Sequence, residues 1–83
     1  MSAAPENFIY NSASQTLTWE LIPDADEYKI EYTLVDPENW ADLYIGTRTI
    51  CPFQYPQGQY FVRGSSRSEG TWSLPGKPHI INV

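Results

Sequence analysis

Two stretches of the chain alternate strictly between apolar and polar residues. Residues 16–21 read Thr-Leu-Thr-Trp-Glu-Leu, and residues 28–33 read Tyr-Lys-Ile-Glu-Tyr-Thr. Successive side chains of a β-strand point to opposite faces, so each stretch has one apolar and one polar face. This pattern is typical of antiparallel strands that pack on one side only. The positions predicted to be buried in these two strands are Leu17, Trp19, Leu21, Tyr28, Ile30 and Tyr32.

Shorter segments of strand-forming residues, separated by turn residues, occur along the rest of the chain. They predict further strands at residues 7–10, 40–45, 47–50, 59–63 and 71–83. The last strand is predicted to bend, because Pro75 and Pro78 donate no ladder hydrogen bond. Tyr60 and Val62 share one face of their strand and complete the predicted core.

The segments between these strands predict connections. Residues 51–58 hold two prolines and a glycine, which predict a crossing between sheets. Residues 64–70 are mostly polar and predict a loop. Seven short strands at turn spacings of about 8 to 12 residues, without an amphipathic helix, predict an all-β, antiparallel sandwich.

The length of 83 residues is that of a single domain. Residues 1–6 are mainly small residues with a proline, and nothing in them is evidently suited to burial. We expect these residues to form a flexible N-terminal lead. The sandwich is therefore predicted to span residues 7–83.

Four sequence features, in this order and spacing, resemble the fibronectin type III family. The core Trp in a Leu-x-Trp setting is matched at residues 17–19, and Pro23 follows it. The Tyr-x-Ile-x-Tyr pattern of the third strand is matched at residues 28–32. Residues 56–60 match the tyrosine corner, in which a Tyr hydroxyl bonds back to the backbone. The resemblance covers residues 5–83 and implies a seven-stranded immunoglobulin-like sandwich.

Within this family, the chain looks most like modules of phage tail and host-recognition proteins and of bacterial surface proteins. This similarity involves residues 28–32, Trp40, residues 60–63 and residues 70–73. It implies a non-catalytic structural or protein-interaction module in a phage virion, tail or capsid-associated, or in a bacterial surface assembly. It also implies synthesis in the cytoplasm and a final location in a virion or at a cell surface.

The charge of the chain argues against several classes of partner. Ten acidic and five basic residues give a formal net charge of −5, which disfavours nucleic acid and anionic membranes. No run approaches the roughly 18 apolar residues of a membrane span, and the first residues lack the basic and apolar regions of a signal peptide. The expected partner is a protein in a larger assembly, or a glycan.

A recognisable catalytic set is missing from the sequence. Cys51 is the single cysteine, so an intrachain disulfide is excluded. Cys51 and the single histidine, His79, could in principle form a nucleophile and base pair, but neither an orienting third group nor an oxyanion loop accompanies them. The simpler interpretation is that Cys51 is a small apolar residue and His79 a rim residue. We therefore expect neither enzymatic activity nor a cofactor.

Acidic residues cluster in two predicted turns. Asp24, Asp26 and Glu27 lie in one turn, and Asp36, Glu38 and Asp42 lie in or beside the next. Calcium takes six to eight oxygen ligands, often from such loops, so a weak calcium site stays open at this point. The alternative is a solvated acidic end that resists aggregation.

Aromatic and arginine residues in or beside predicted loops and edges are the candidate binding residues. They are Trp40, Tyr44, Arg67 and Trp72. Trp and Arg are frequent hot spots of protein interfaces, and exposed aromatic rings also stack on sugars. The second function is thus a carbohydrate-binding or adhesive accessory module. Alternatively, Trp72 covers one end of the sandwich with an arginine such as Arg63 stacked on its ring.

Overall fold

A computed structural model describes residues 3–34 and 39–83 of the chain. Within these residues, no helix is long and apolar enough to cross a membrane. The described residues form eight strands: β1 (Ile9–Asn11), β2 (Thr16–Thr18), β3 (Glu27–Thr33), β4 (Ala41–Gly46), β5 (Ile50–Pro52), β6 (Gln59–Ser68), β7 (Thr71–Trp72) and β8 (His79–Asn82).

The strands form two antiparallel sheets that face each other across one core. The smaller sheet has the order β1-β2-β5. The larger sheet has the order β4-β3-β6, and both β7 and β8 pair with the free edge of β6. The all-β sandwich predicted from the sequence is therefore confirmed.

The pairing of β3 with β6 is the longest in the described structure. It runs without a register shift from Glu27 opposite Arg67 to Thr33 opposite Phe61. Because side chains alternate along both strands, this register turns one set of residues toward the core and the other set outward. We call the outward side the outer face of the five-stranded sheet.

The core contains six of the eight residues predicted from the sequence. Of the other two, Tyr32 is half-buried and packs at the rim of the core, and Leu21 is exposed. Three core residues were not predicted: Cys51, Phe53 and Ile81. The buried apolar residues are Leu17, Trp19, Tyr28, Ile30, Cys51, Phe53, Tyr60, Val62 and Ile81.

The predicted burial of Leu21 is wrong, since this side chain is 68% exposed. The alternation stops because β2 ends at Thr18. Beyond that point the backbone N–H of Trp19 donates to the carbonyl oxygen of Thr49 at 3.1 Å, and that of Glu20 donates to Glu6 at 3.0 Å. The chain has left the regular ladder before it reaches Leu21.

The strand predicted at residues 47–50 is shifted toward the C-terminus and forms β5, Ile50–Pro52. It therefore includes the first two residues of segment 51–58, which was predicted to cross between the sheets. The register places Cys51 opposite Leu17, so the thiol points into the core. Pro52 is tolerated because β5 is an edge strand.

The loop predicted at residues 64–70 is also wrong over most of its length, because β6 continues to Ser68. Gly64 is required inside the strand, since a Cβ at this position would lie 2.6 Å from Cγ of Pro5. A polar sequence can form a central strand here because Ser66 turns inward and bonds to the backbone.

Residues 3–8, which we call the N-terminal strap, pack against the inner side of β6. Pro5 is fully buried, and the hydroxyl of Ser66 donates a hydrogen bond to the carbonyl oxygen of Ala3. The ring of Phe8 lies 5.3 Å from that of His79. Pro5 therefore contradicts the expectation that residues 1–6 have nothing to bury, whereas Ala3 and Glu6 are exposed.

The last predicted strand is divided into β7 and β8, which raises the strand number from seven to eight. Between them the backbone N–H of Ser73 donates to Ser66 at 2.8 Å, and that of Gly76 donates to Gly64 at 2.9 Å. Both prolines lie in this interruption, so the segment follows the edge of β6 with a broken ladder.

The predicted tyrosine corner is present. The hydroxyl of Tyr60 donates a hydrogen bond of 2.7 Å to the carbonyl oxygen of Pro56. The Tyr60 side chain is 3% exposed, so this bond satisfies a phenol that water does not reach easily.

We expect Trp19→Ala to lower the free energy of unfolding by about 3–5 kcal/mol, through lost burial and the cavity left behind. Trp19 is 5% exposed, and its indole N–H has no partner among the described residues, so the loss is one of packing. Chemical denaturation measures the change. Leu21→Ala, at an exposed position nearby, is the control and should change stability by less than about 0.5 kcal/mol. A loss below about 1 kcal/mol for Trp19→Ala would contradict the central position of this ring.

Tyr60→Phe should lower the free energy of unfolding by about 1–2 kcal/mol, because the carbonyl oxygen of Pro56 loses its donor. The same denaturation experiment tests this, with Tyr10→Phe as the control at a half-buried tyrosine outside the corner. Equal effects of the two substitutions would show that the corner bond adds no stability.

Candidate binding surface on the five-stranded sheet

The outer face of the five-stranded sheet is charged, and its charges are paired. Nε of Arg63 donates to Oε1 of Glu31 at 3.0 Å, with both side chains more than half buried. Nζ of Lys29 lies 3.8 Å from Oδ1 of Asp42 on β4. The sheet register sets Glu31 directly opposite Arg63. Lys29 lies opposite Ile45, and it reaches Asp42 diagonally, since Asp42 is opposite Glu31.

Arg67 connects the outer face to the turn before β3. Its Nε lies 3.2 Å from Oδ1 of Asp26, and its Nη2 lies 3.2 Å from Oε1 of Glu27. The backbone N–H of Asp26 also donates to the carbonyl oxygen of Arg67 at 2.8 Å. Arg67 is thus held by both its side chain and its backbone.

These contacts bear on the acidic cluster considered as a calcium site. Two of its carboxylates, Asp26 and Glu27, share the guanidinium of Arg67 as their ion-pair partner. Across residues 3–34 and 39–83, no three His, Cys, Asp or Glu side chains are grouped so that they could hold a metal ion. Asp36 and Glu38 lie outside the described residues.

Trp40 and Trp72 each have an arginine side chain over the aromatic ring. Cζ of Arg63 lies 4.2 Å from the ring centroid of Trp40, and Cζ of Arg67 lies 5.9 Å from that of Trp72. The arginine on Trp72 is therefore Arg67, where the sequence suggested Arg63. Trp40 is half-buried, and its indole N–H is buried without a partner in the described part of the chain.

Tyr44 supports the core instead of the outer face. Its ring centroid lies 5.6 Å from that of Trp19, and its hydroxyl accepts a hydrogen bond of 3.0 Å from the backbone N–H of Arg48. Its position opposite Ile30 in the β3–β4 register turns it inward. Tyr44 is therefore poorly placed to act as a stacking platform.

Of the four candidate residues, the structure brings Arg67 and Trp72 together. They are paired in the β6–β7 register, and Trp72 is 39% exposed. Trp40 lies near the start of β4, on the arginine that pairs with Glu31. The candidate site is thus centred on Trp72 and not on the full set.

Two hollows meet at Trp72. The larger, which we call the end hollow, has a volume of about 540 Å³ and lies between Ala4 of the strap and the β6–β7 turn, with Trp72 and Leu74 in its wall. The smaller, which we call the face hollow, has a volume of about 250 Å³ and opens on the outer face. The face hollow is lined by Lys29, Glu31, Ser65, Trp72, Ser73 and Pro75.

Sequence reasoning missed Leu74 and Ser65 as surface residues of interest. Leu74 falls within the predicted last strand, yet it is 86% exposed because the ladder is broken between β7 and β8. Ser65 falls within the predicted loop, and the extension of β6 places it on the outer face. The alternation of Arg63, Ser65 and Arg67 is the sequence pattern that indicates a strand continuing through Ser65, with all three side chains on one face.

Cys51 and His79 are poorly suited to act as a nucleophile and base. They lie on different sheets, and Cys51 is 3% exposed. Burial raises the pKa of the Cys51 thiol from 9.0 to about 11, so the thiol is protonated at neutral pH. An activated cysteine needs the opposite shift.

We expect a thiol reagent at pH 8 to modify Cys51 at least about 100-fold more slowly in the native protein than in the unfolded chain, because the thiolate is rarer at the raised pKa and the thiol is buried. Stopped-flow absorbance with and without guanidinium chloride measures the ratio. The contribution of the neutral thiol to stability is complete below pH 9.0 and is lost as the pH rises through about 11. Native and unfolded rates within about tenfold of each other would show that the thiol is accessible.

Comparison with solved structures finds similarity to a known fold. The chain resembles the crystal structure of a Fn3-like protein from Clostridium thermocellum, with a TM-score of 0.75 and 21% sequence identity. The match covers 95% of this chain and 90% of that chain. No protein-family model and no curated protein matches the sequence.

The structural likeness concerns the fold, because sequence identity at this level does not carry function. It extends over nearly the whole chain, including both sheets. The tyrosine corner and the buried Trp19 agree with it. The chain therefore has a fibronectin type III-like β-sandwich fold.

Proposed function

We propose that this chain is a non-catalytic interaction module that binds a protein partner at the end hollow. The observation that carries the proposal is the 86% exposure of Leu74 beside the exposed ring of Trp72. An aromatic residue and a large aliphatic residue that stay exposed together are unfavourable in water unless a partner covers them.

The surroundings of this pair suit a protein interface. Arg67 lies on Trp72 and is held by two carboxylates, so its side chain is ordered before binding. Interfaces concentrate their binding energy in Trp and Arg residues surrounded by a polar rim. Glu69 and Ser68 supply such a rim at the end hollow.

The backbone around the end hollow is held in place from both sides. The hydroxyl of Ser73 accepts from the backbone N–H of Ser66 at 3.1 Å and donates to the carbonyl oxygen of Leu74 at 3.1 Å. Ala4 of the strap forms the opposite wall. A surface that is already ordered loses little conformational entropy on binding.

A standard protein interface buries about 800 Å² on each partner, more than a hollow alone supplies. The accessible surface of the chain is 5249 Å², so a partner of this kind covers the end hollow and its flanks. We infer that the partner belongs to a larger assembly, a phage virion or a bacterial surface structure, in which the chain resides after synthesis in the cytoplasm. The sequence resemblance described above supports this context, and the net charge of −5 favours protein over nucleic acid.

Leu74→Ser should weaken partner binding at least about tenfold, because it removes an exposed apolar anchor. The immobilised protein is incubated with extract or particles from its native source, and the retained proteins are quantified by mass spectrometry. Trp72→Ala should have an effect of the same size or larger.

Leu21→Ser is the matched control, since Leu21 is another exposed leucine, 68% accessible and outside the end hollow. It should leave retention unchanged. Equal retention by the wild type and Leu74→Ser, or an equal loss with Leu21→Ser, would contradict the proposal.

A further inference from the structure

Ser65 is a polar residue in the wall of the face hollow, and it is 6% exposed. On the outer face it lies between Arg63 and Arg67, both of which use their side chains in ion pairs. A hydroxyl offers one donor and two acceptor lone pairs, so Ser65 can hydrogen-bond to a polar ligand that enters the hollow.

The other groups around the hollow are those that a polyhydroxylated ring requires. The ammonium of Lys29 offers donors, and the carboxylate of Glu31 has about four acceptor sites, one of which takes the hydrogen bond from Arg63. Trp72 supplies an aromatic surface, and Pro75 supplies an apolar wall. Donors and acceptors thus converge beside a ring on which the C–H face of a sugar can stack.

The charges of the hollow favour a neutral ligand. Lys29 is paired with Asp42 and Glu31 with Arg63, so the two charged lining groups are already balanced. An anion would meet Glu31, and a cation would meet Lys29, whereas a neutral ring with several hydroxyls satisfies both.

The size of the hollow restricts the ligand further. Pockets for drug-sized molecules run from about 300 to 1,000 Å³. At about 250 Å³, the face hollow accommodates a single ring, and its opening on the outer face lets a longer chain continue past it.

We propose that the face hollow binds one neutral pyranose unit of a polysaccharide, stacked on Trp72 and hydrogen-bonded to Ser65, Lys29 and Glu31. This goes beyond the proposed protein interaction, which uses the end hollow. The two hollows share Trp72 and Ser73 and differ in the rest of their lining.

The test is an NMR titration of the ¹⁵N-labelled protein with neutral four-residue oligosaccharides of glucose and of N-acetylglucosamine, each to about 10 mM. The Ser65 amide and the Trp72 indole should shift, while the indoles of Trp19 and Trp40 stay in place. Ser65→Val keeps a strand-forming residue and should weaken binding about fivefold by removing the hydroxyl. A four-residue uronic acid oligosaccharide, which is anionic, should bind at least about tenfold more weakly than the neutral probes.

Leu74→Ser alters the end hollow alone and should bind the oligosaccharides as the wild type does. A well-dispersed spectrum confirms that each variant is folded. The proposal is overturned if no probe shifts Trp72 or Ser65, if Ser65→Val binds as tightly as the wild type, or if the anionic probe binds best. It is also overturned if Ser65→Val loses the protein partner while no oligosaccharide binds, since the face hollow then belongs to the protein interface.

Discussion

The uninterrupted pairing of β3 with β6 is the constraint on which the rest of the structure depends. One register decides both faces of the larger sheet at once, since a slip by one residue would exchange them. Tyr28 and Ile30 then reach the core, and Glu31 meets Arg63 on the opposite side. The hydrophobic core and the charged outer face are two consequences of the same hydrogen-bond ladder.

The smaller sheet and the N-terminal strap close the core on the side opposite the larger sheet. The three short strands of the smaller sheet and the N-terminal strap pack against the inner side of the larger sheet. Pro5 fits against Gly64, where the missing Cβ leaves the space it needs. Trp19 packs against the rings of Phe8, Tyr28 and Tyr44, so the strap, β3 and β4 all meet one side chain. A domain of this size depends on a few such large rings for its stability.

Function is expected where regular pairing ends. Between β7 and β8 the prolines interrupt the ladder, and this interruption leaves Leu74 outside the core and opens hollows on either side of Trp72. Arg67 stiffens the same region through its contacts with Asp26 and Glu27. The segment between β7 and β8 is therefore an ordered surface with exposed apolar side chains, at an edge where prolines interrupt the hydrogen-bond ladder. The residues of the alternating strands that point inward are buried in the core.

The sequence by itself determined the class of fold, most of the core and the tyrosine corner, because alternation and turn residues are local properties. It could not place Leu21 or Ser65, since strand ends are decided by hydrogen bonds to distant segments. It named Trp72 as a candidate, but only the tertiary structure separated it from Tyr44, which turns toward Trp19. The hollows also required the folded chain, because their walls come from the strap, β3, β6 and the broken edge. Side chains far apart in sequence become one surface only when packing fixes their distances.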